Sequence, residues 1–126
     1  MKICFVMYAW DKVEPSKDST LRIIKECVSR GFEVSYLTKH DISIAKGKVV
    51  GKVKKLISQE TTDAVEFYNT MQFETSLRDF TEFDMVFMRA DPPVDTLLLN
   101  MLELIEDKVF FVNKISGLRK ANNKIY

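Results

Sequence analysis

Residues 82–95, Glu82-Phe83-Asp84-Met85-Val86-Phe87-Met88-Arg89-Ala90-Asp91-Pro92-Pro93-Val94-Asp95, leave few folds open to this chain. The apolar run Met85 to Met88 is too short for a helix and is bounded by charge and proline, which predicts a buried strand. That strand cannot continue. Pro92 and Pro93 lack amide donors, and Pro92 also pushes Asp91 away from helical dihedrals. Asp95 stands where an N-cap belongs, ahead of the apolar run 96–105. A strand, a rigid turn and a helix put Arg89, Asp91 and Asp95 at the carboxyl end of a strand, the edge where open α/β sheets bind ligands.

The flanking sequence fits the same class. Residues 3–8 are an apolar run of β-formers, as expected of a central parallel strand. A polar loop follows, and Ser16 or Asp18 can cap a helix in which Leu21, Ile23, Ile24, Cys27 and Val28 recur at helical spacing. Gly31 is its expected stop. Residues 32–37 alternate as a second strand, so strand, helix and strand form a right-handed βαβ unit with a parallel sheet. Residues 42–46 and 49–57 alternate around Gly47 and predict a β-hairpin. Residues 59–63 read as loop, 66–71 as a short strand and 76–80 as a helical turn. A helix over about 96–107 would share a face among Leu97, Leu98, Met101, Leu102 and Ile105. Residues 109–112 form a fourth core strand, and Ser116 caps a last helical segment. The expected architecture is α/β: a small Rossmann-like parallel sheet with flanking helices and an appended β-hairpin, one domain over residues 1–126.

Composition narrows the partners. A net charge of +1 gives no bulk reason to expect nucleic acid, and no apolar run approaches the length that spans a bilayer. Lys46, Lys48, Lys52, Lys54 and Lys55 lack interleaved aromatics and read as a solvated edge. Cys4 and Cys27 lack metal-ligand spacing and read as buried, reduced thiols, which with the absence of a signal peptide predicts a cytoplasmic protein. His40 is isolated, so no metal site or triad is expected. The four glycines are too scattered for a phosphate loop or dinucleotide fingerprint.

Met88-Arg89-Ala90-Asp91-Pro92-Pro93-Val94-Asp95 resembles the Met-Arg-Lys-Asp-Pro-Pro-Phe-Asp signature of prokaryotic glutathione synthetase. The resemblance covers nearly the whole chain. It takes in the opening strand, Lys17-Asp18-Ser19, and the closing Asn113-Lys114, Leu118-Arg119, Ala121-Asn122 and Lys124. Ala90 stands for the family lysine, Ile115 for a proline and Tyr8 for an aspartate; Lys120 and Asn123 replace Asp and Glu. The resemblance implies the N-terminal, pre-ATP-grasp domain of an ATP-dependent carboxylate–amine ligase. Its substrates would be γ-glutamylcysteine and glycine, and its cofactors ATP and Mg²⁺. The dipeptide would be activated as an acyl phosphate that the amine of glycine attacks. The ATP-grasp domains would follow this chain, which ends at Tyr126 without a helix stop or polar tail.

Arg89 leads the candidate substrate-binding residues, because a guanidinium can hold a carboxylate with two parallel hydrogen bonds. Its structural alternative is an ion pair with Asp91 or Asp95. Asp91 is a second candidate, against a role as turn residue. Asp18 and Ser19 lie in the loop after the first strand, where either contacts substrate or caps the helix. Lys124 matches by position a family lysine that helps bind ATP, whereas Lys114 and Arg119 read as surface charge. No catalytic residue is expected here. Trp10 fits either a packing lid or an interface, and the leucine-rich helix after Asp95 leaves a homo-oligomer open. Two other classes fit the same residues: the N-terminal domain of a different ATP-grasp ligase, and a free-standing module that binds a small ligand or partner without catalysis.

Overall fold

A computed structural model describes residues 1–57, 63–89 and 96–112. Strand β1 (Lys2–Val6) leads through a loop with a 3-10 turn at Trp10–Lys12 into helix α1 (Ser19–Ser29) and strand β2 (Glu33–Leu37). Asp18 caps α1 by accepting the Leu21 N–H at 2.9 Å. At its other end the Gly31 N–H bonds the Val28 carbonyl and the Phe32 N–H the Cys27 carbonyl, the paired bonds of a Schellman stop. Gly31 supplies the left-handed φ of 81° that this stop requires. The hairpin of β3 (Ile42–Ala45) and β4 (Lys48–Ile57) turns on Lys46 and Gly47, with φ of 52° and 76°. Two left-handed residues in succession match the twist of a two-residue hairpin loop.

The next two elements are exchanged relative to expectation. Residues 66–71, expected as a strand, lie mostly in helix α2 (Ala64–Thr70), and residues 76–80, expected as a helical turn, lie mostly in strand β5 (Gln72–Asp79). The aromatics Phe67 and Tyr68 favour a strand locally. However, the Asp63 side chain accepts the Val65 N–H and starts a helix, and Ala64, Phe67, Tyr68 and Met71 pack on one side at spacings of three and four. Strand β5 forms because β4 offers it a full antiparallel edge, from Val50 opposite Asp79 to Ile57 opposite Gln72. Strand β6 (Met85–Met88), helix α3 (Thr96–Glu103) and strand β7 (Phe110–Val112) complete the described chain. Helix α3 ends earlier than its apolar pattern suggests, and i to i+3 bonds carry the backbone on to Lys108. The loop at residues 58–62, the Pro92-Pro93 turn, the Asp95 cap and the segment after Val112 lie outside the described residues.

The sheet runs β3-β4-β2-β1-β6-β7, with β5 on the outer edge of β4. β2, β1, β6 and β7 are mutually parallel, and β4 joins antiparallel to β2 through Tyr36 opposite Lys54 and Ser35 opposite Lys55. The hairpin is thus built into the sheet through β4. β1 alternates between two cores, as a strand covered on both faces must. Ile3, Phe5 and Met7 meet Leu21, Ile24 and Cys27 of α1 and Phe67 of α2. Cys4 and Val6 face Leu99 and Leu102 of α3 and Ile105 just after it, with Val49, Val53 and Phe80. Leu99 joins the buried face of α3, and Met101 packs at its margin. Because α1 and α3 cover opposite faces, the chain changes direction across the sheet between β1 and β6.

Candidate functional site

That reversal makes the carboxyl ends of β1 and β6 the switch point of the sheet, the place where doubly wound sheets receive ligands. The Arg89 N–H donates to the Val6 carbonyl at 2.8 Å and so carries the β1–β6 ladder one residue past β6. Its side chain then lies on the α1 face and reaches that helix's first turn. Nε donates to Thr20 Oγ1 at 3.1 Å and Nη2 to Ser19 Oγ at 3.0 Å. Thr20 is only 2% exposed, so the inner half of this clamp is buried, while Ser19 is exposed at its rim.

Asp18 adjoins the clamp but turns away from it. One carboxylate oxygen accepts the Leu21 N–H and the other accepts the Tyr8 hydroxyl. Among the described residues Arg89 forms no ion pair. A guanidinium held by neutral hydroxyls therefore stands at the amino end of a helix, whose own partial charge is positive. Both favour an anion, and a carboxylate offers the geometry that a guanidinium fork matches.

The sequence-predicted residues separate into three groups. Arg89, Asp18 and Ser19 come together. Asp91 and Lys124 lie outside the described residues, as do Asp95, Lys114 and Arg119. Tyr8 and Thr20 join the site without having been singled out as site residues; Thr20 directly follows the Asp18-Ser19 pair, and Tyr8 follows β1 at the same sheet edge. Among the described residues no three His, Cys, Asp or Glu side chains gather, and none of their turns has the glycine pattern of a phosphate loop.

Trp10 is a packing residue. Its ring lies 5.2 Å from Tyr68, nearly parallel, and 5.1 Å from Phe73, edge-on, while the Tyr68 hydroxyl donates to the Trp10 carbonyl. These contacts pin the loop that delivers Asp18 and Ser19. The lysines of β4 behave as an edge: Lys55 pairs with Glu33 at 3.4 Å and Lys54 sits 5.8 Å from the centre of the Tyr36 ring. An open apolar hollow lies at the opposite end of the sheet, between Ile3, Ile23, Phe32 and Met85, away from the polar cluster.

Comparison with known proteins bears on the whole chain. Residues 1–119 match the family described as prokaryotic glutathione synthetase, N-terminal domain. The glutathione synthetase of Vibrio parahaemolyticus is 30% identical over all of this chain and 40% of its own length. Those of Synechocystis and Synechococcus elongatus are 30% and 31% identical, again over the whole chain and 42% of their own lengths. The chain thus spans about two fifths of the curated relatives it matches.

Proposed function

The chain belongs to the prokaryotic glutathione synthetase N-terminal domain family, and from that membership we propose that it forms the substrate-side wall of an ATP-dependent ligase joining γ-glutamylcysteine to glycine. The observation that carries this reading is the Arg89 clamp: a cation at the sheet's switch point, oriented by Ser19 and Thr20, with no carboxylate ion-paired to it among the described residues. Arg89 receives a carboxylate of the dipeptide and Ser19 lines the rim, with Asp91, outside the described residues, as a further candidate contact. Asp18 serves the wall by holding the first turn of α1. The activating phosphate, Mg²⁺ and glycine fall to ATP-grasp domains outside this chain, with Lys124 reaching ATP where the domains meet. On this reading residues 1–126 form a single domain that by itself catalyses nothing. A cytoplasmic location agrees with two free cysteines and with no described helix long and apolar enough to cross a membrane.

The test uses the intact endogenous protein with ATP, γ-glutamylcysteine and glycine. Arg89→Ala should raise the KM for the dipeptide about tenfold to a hundredfold, the loss expected when hydrogen bonds to a charged group worth ~1.5–3 kcal/mol disappear. Arg89→Lys should recover part of it, since the charge returns without the fork. An unchanged KM in Arg89→Ala overturns the reading. A second reading, ligation of a different small acid, draws on Tyr8, which brings a phenol to Asp18 where the resembled family has an aspartate. Better turnover of another acid than of γ-glutamylcysteine would favour it.

A further inference from the structure

We infer that Tyr8 is a positioning residue for this site: its hydroxyl holds the Asp18 carboxylate on the helix cap and away from Arg89, leaving the guanidinium to an anionic ligand. The inference rests on the reading that Arg89 anchors a substrate carboxylate.

The geometry raises a competition that something must settle. Asp18 immediately precedes Ser19, whose hydroxyl lies 3.0 Å from the guanidinium. A carboxylate and an arginine this close on a partly buried surface would ordinarily pair, because charge-assisted fork contacts are the strongest short-range polar interactions available to either. They do not pair here. The cap to Leu21 occupies one carboxylate oxygen and would leave the other free to swing toward Arg89. The Tyr8 hydroxyl takes that second oxygen, across the loop between β1 and α1. A phenol suits this role because it donates while remaining neutral at physiological pH. An ionised aspartate at position 8 would have no proton to donate and would repel Asp18. Tyr8 thereby leaves Arg89 with neutral hydroxyl partners among the described residues, which a ligand carboxylate does not have to displace as a rival charge.

A mutant cycle on the intact endogenous protein tests this, with the KM and kcat for γ-glutamylcysteine as readout and far-UV circular dichroism as the folding check. Tyr8→Phe removes only the hydroxyl and should raise KM about threefold to tenfold, with the effect falling on KM rather than kcat. Asp18→Asn added to Tyr8→Phe keeps a capping oxygen but removes the rival charge, and should return KM to within about twofold of its starting value. Loss of a mere structural tie would not be rescued in this way. Should Tyr8→Phe fail to fold, Asp18→Asn alone should lower KM, and a raised KM would count against the inference. Arg89→Ala separates the two levels. No effect of Arg89→Ala on KM overturns both the reading and the inference. A KM raised by Arg89→Ala but untouched by Tyr8→Phe, or a double variant no better than Tyr8→Phe, overturns the inference alone.

Discussion

Gly51, in the middle of β4, lies where the chain has no room for a side chain. A Cβ there would come within 2.6 Å of the Phe80 ring and 2.7 Å of a Leu37 methyl, both fully buried. Neither neighbour can retreat far in an interior packed as densely as an organic crystal. Gly51→Ala should therefore destabilise the fold by about 1–3 kcal/mol through overpacking. The check is a shift of the denaturant midpoint at unchanged slope; an unshifted midpoint would mean that the core relaxes around a methyl group. In sequence Gly51 carries no sign of this, because the crowding comes from residues of β2 and the turn before β6. The site divides along the same line. Asp18 as a helix cap and Arg89 at a strand's carboxyl edge were legible, each from its immediate neighbours. The bonds from Tyr8 to Asp18 and from Arg89 to Thr20 were not, since they join side chains brought together only when α1 packs on β1 and β6 pairs beside it.

At the scale of elements, local signals succeeded where they were redundant. Helix α1 has a cap, an apolar face and a glycine stop, and β1 and β6 have uninterrupted apolar runs. Residues 64–79 had conflicting signals: aromatic residues in α2 suggested extension, and β5 exposes so much of its surface that its alternation is faint. Pairing with β4 settled the second, which no local pattern could announce. The short turn joining β5 to β6 shows how an exposed element is still specified. Asp79 and Glu82 form a reciprocal capping box across the 3-10 turn Phe80–Glu82. Hydrogen bonds from the Thr81 N–H and hydroxyl hold the Asp79 carboxyl below the usual carboxylate range. A pKa depressed on folding contributes stability above the unfolded value and loses it as pH falls through the folded one. Wild type should thus exceed Asp79→Asn in thermal midpoint at neutral pH, by a small margin because the group is exposed, and the two curves should converge on acidification. Parallel curves throughout would mean that the cap works without its charge.

For the whole molecule, the question is whether one sheet with two cores unfolds as one body. Its faces are covered by different elements, α1 and α2 on one and α3 with the 3-10 turn at Phe80 on the other. What couples them is β1. Cys4 and Val6 cannot hold their positions against α3 unless Ile3, Phe5 and Met7 hold theirs against α1, since successive residues of one strand supply both layers. β6 adds a second tie: Val86 and Met88 belong to the α3 core, while Phe87 stacks on Phe5 at 4.6 Å on the other face. Stabilisation on either side should therefore be shared. Trp10, the single tryptophan, reports on the α1 side from among Tyr36, Tyr68 and Phe73. Leu102, fully buried, belongs to the α3 side. Leu102→Ala opens a cavity and should cost about 2–5 kcal/mol. If the sheet couples its faces, the Trp10 fluorescence midpoint moves with the far-UV circular dichroism midpoint, as an all-or-none transition requires. A fluorescence transition left in place while the dichroism shifts would show two cores melting separately. The clamp would then depend on the α1 side alone, although its arginine is carried by β6, which serves both.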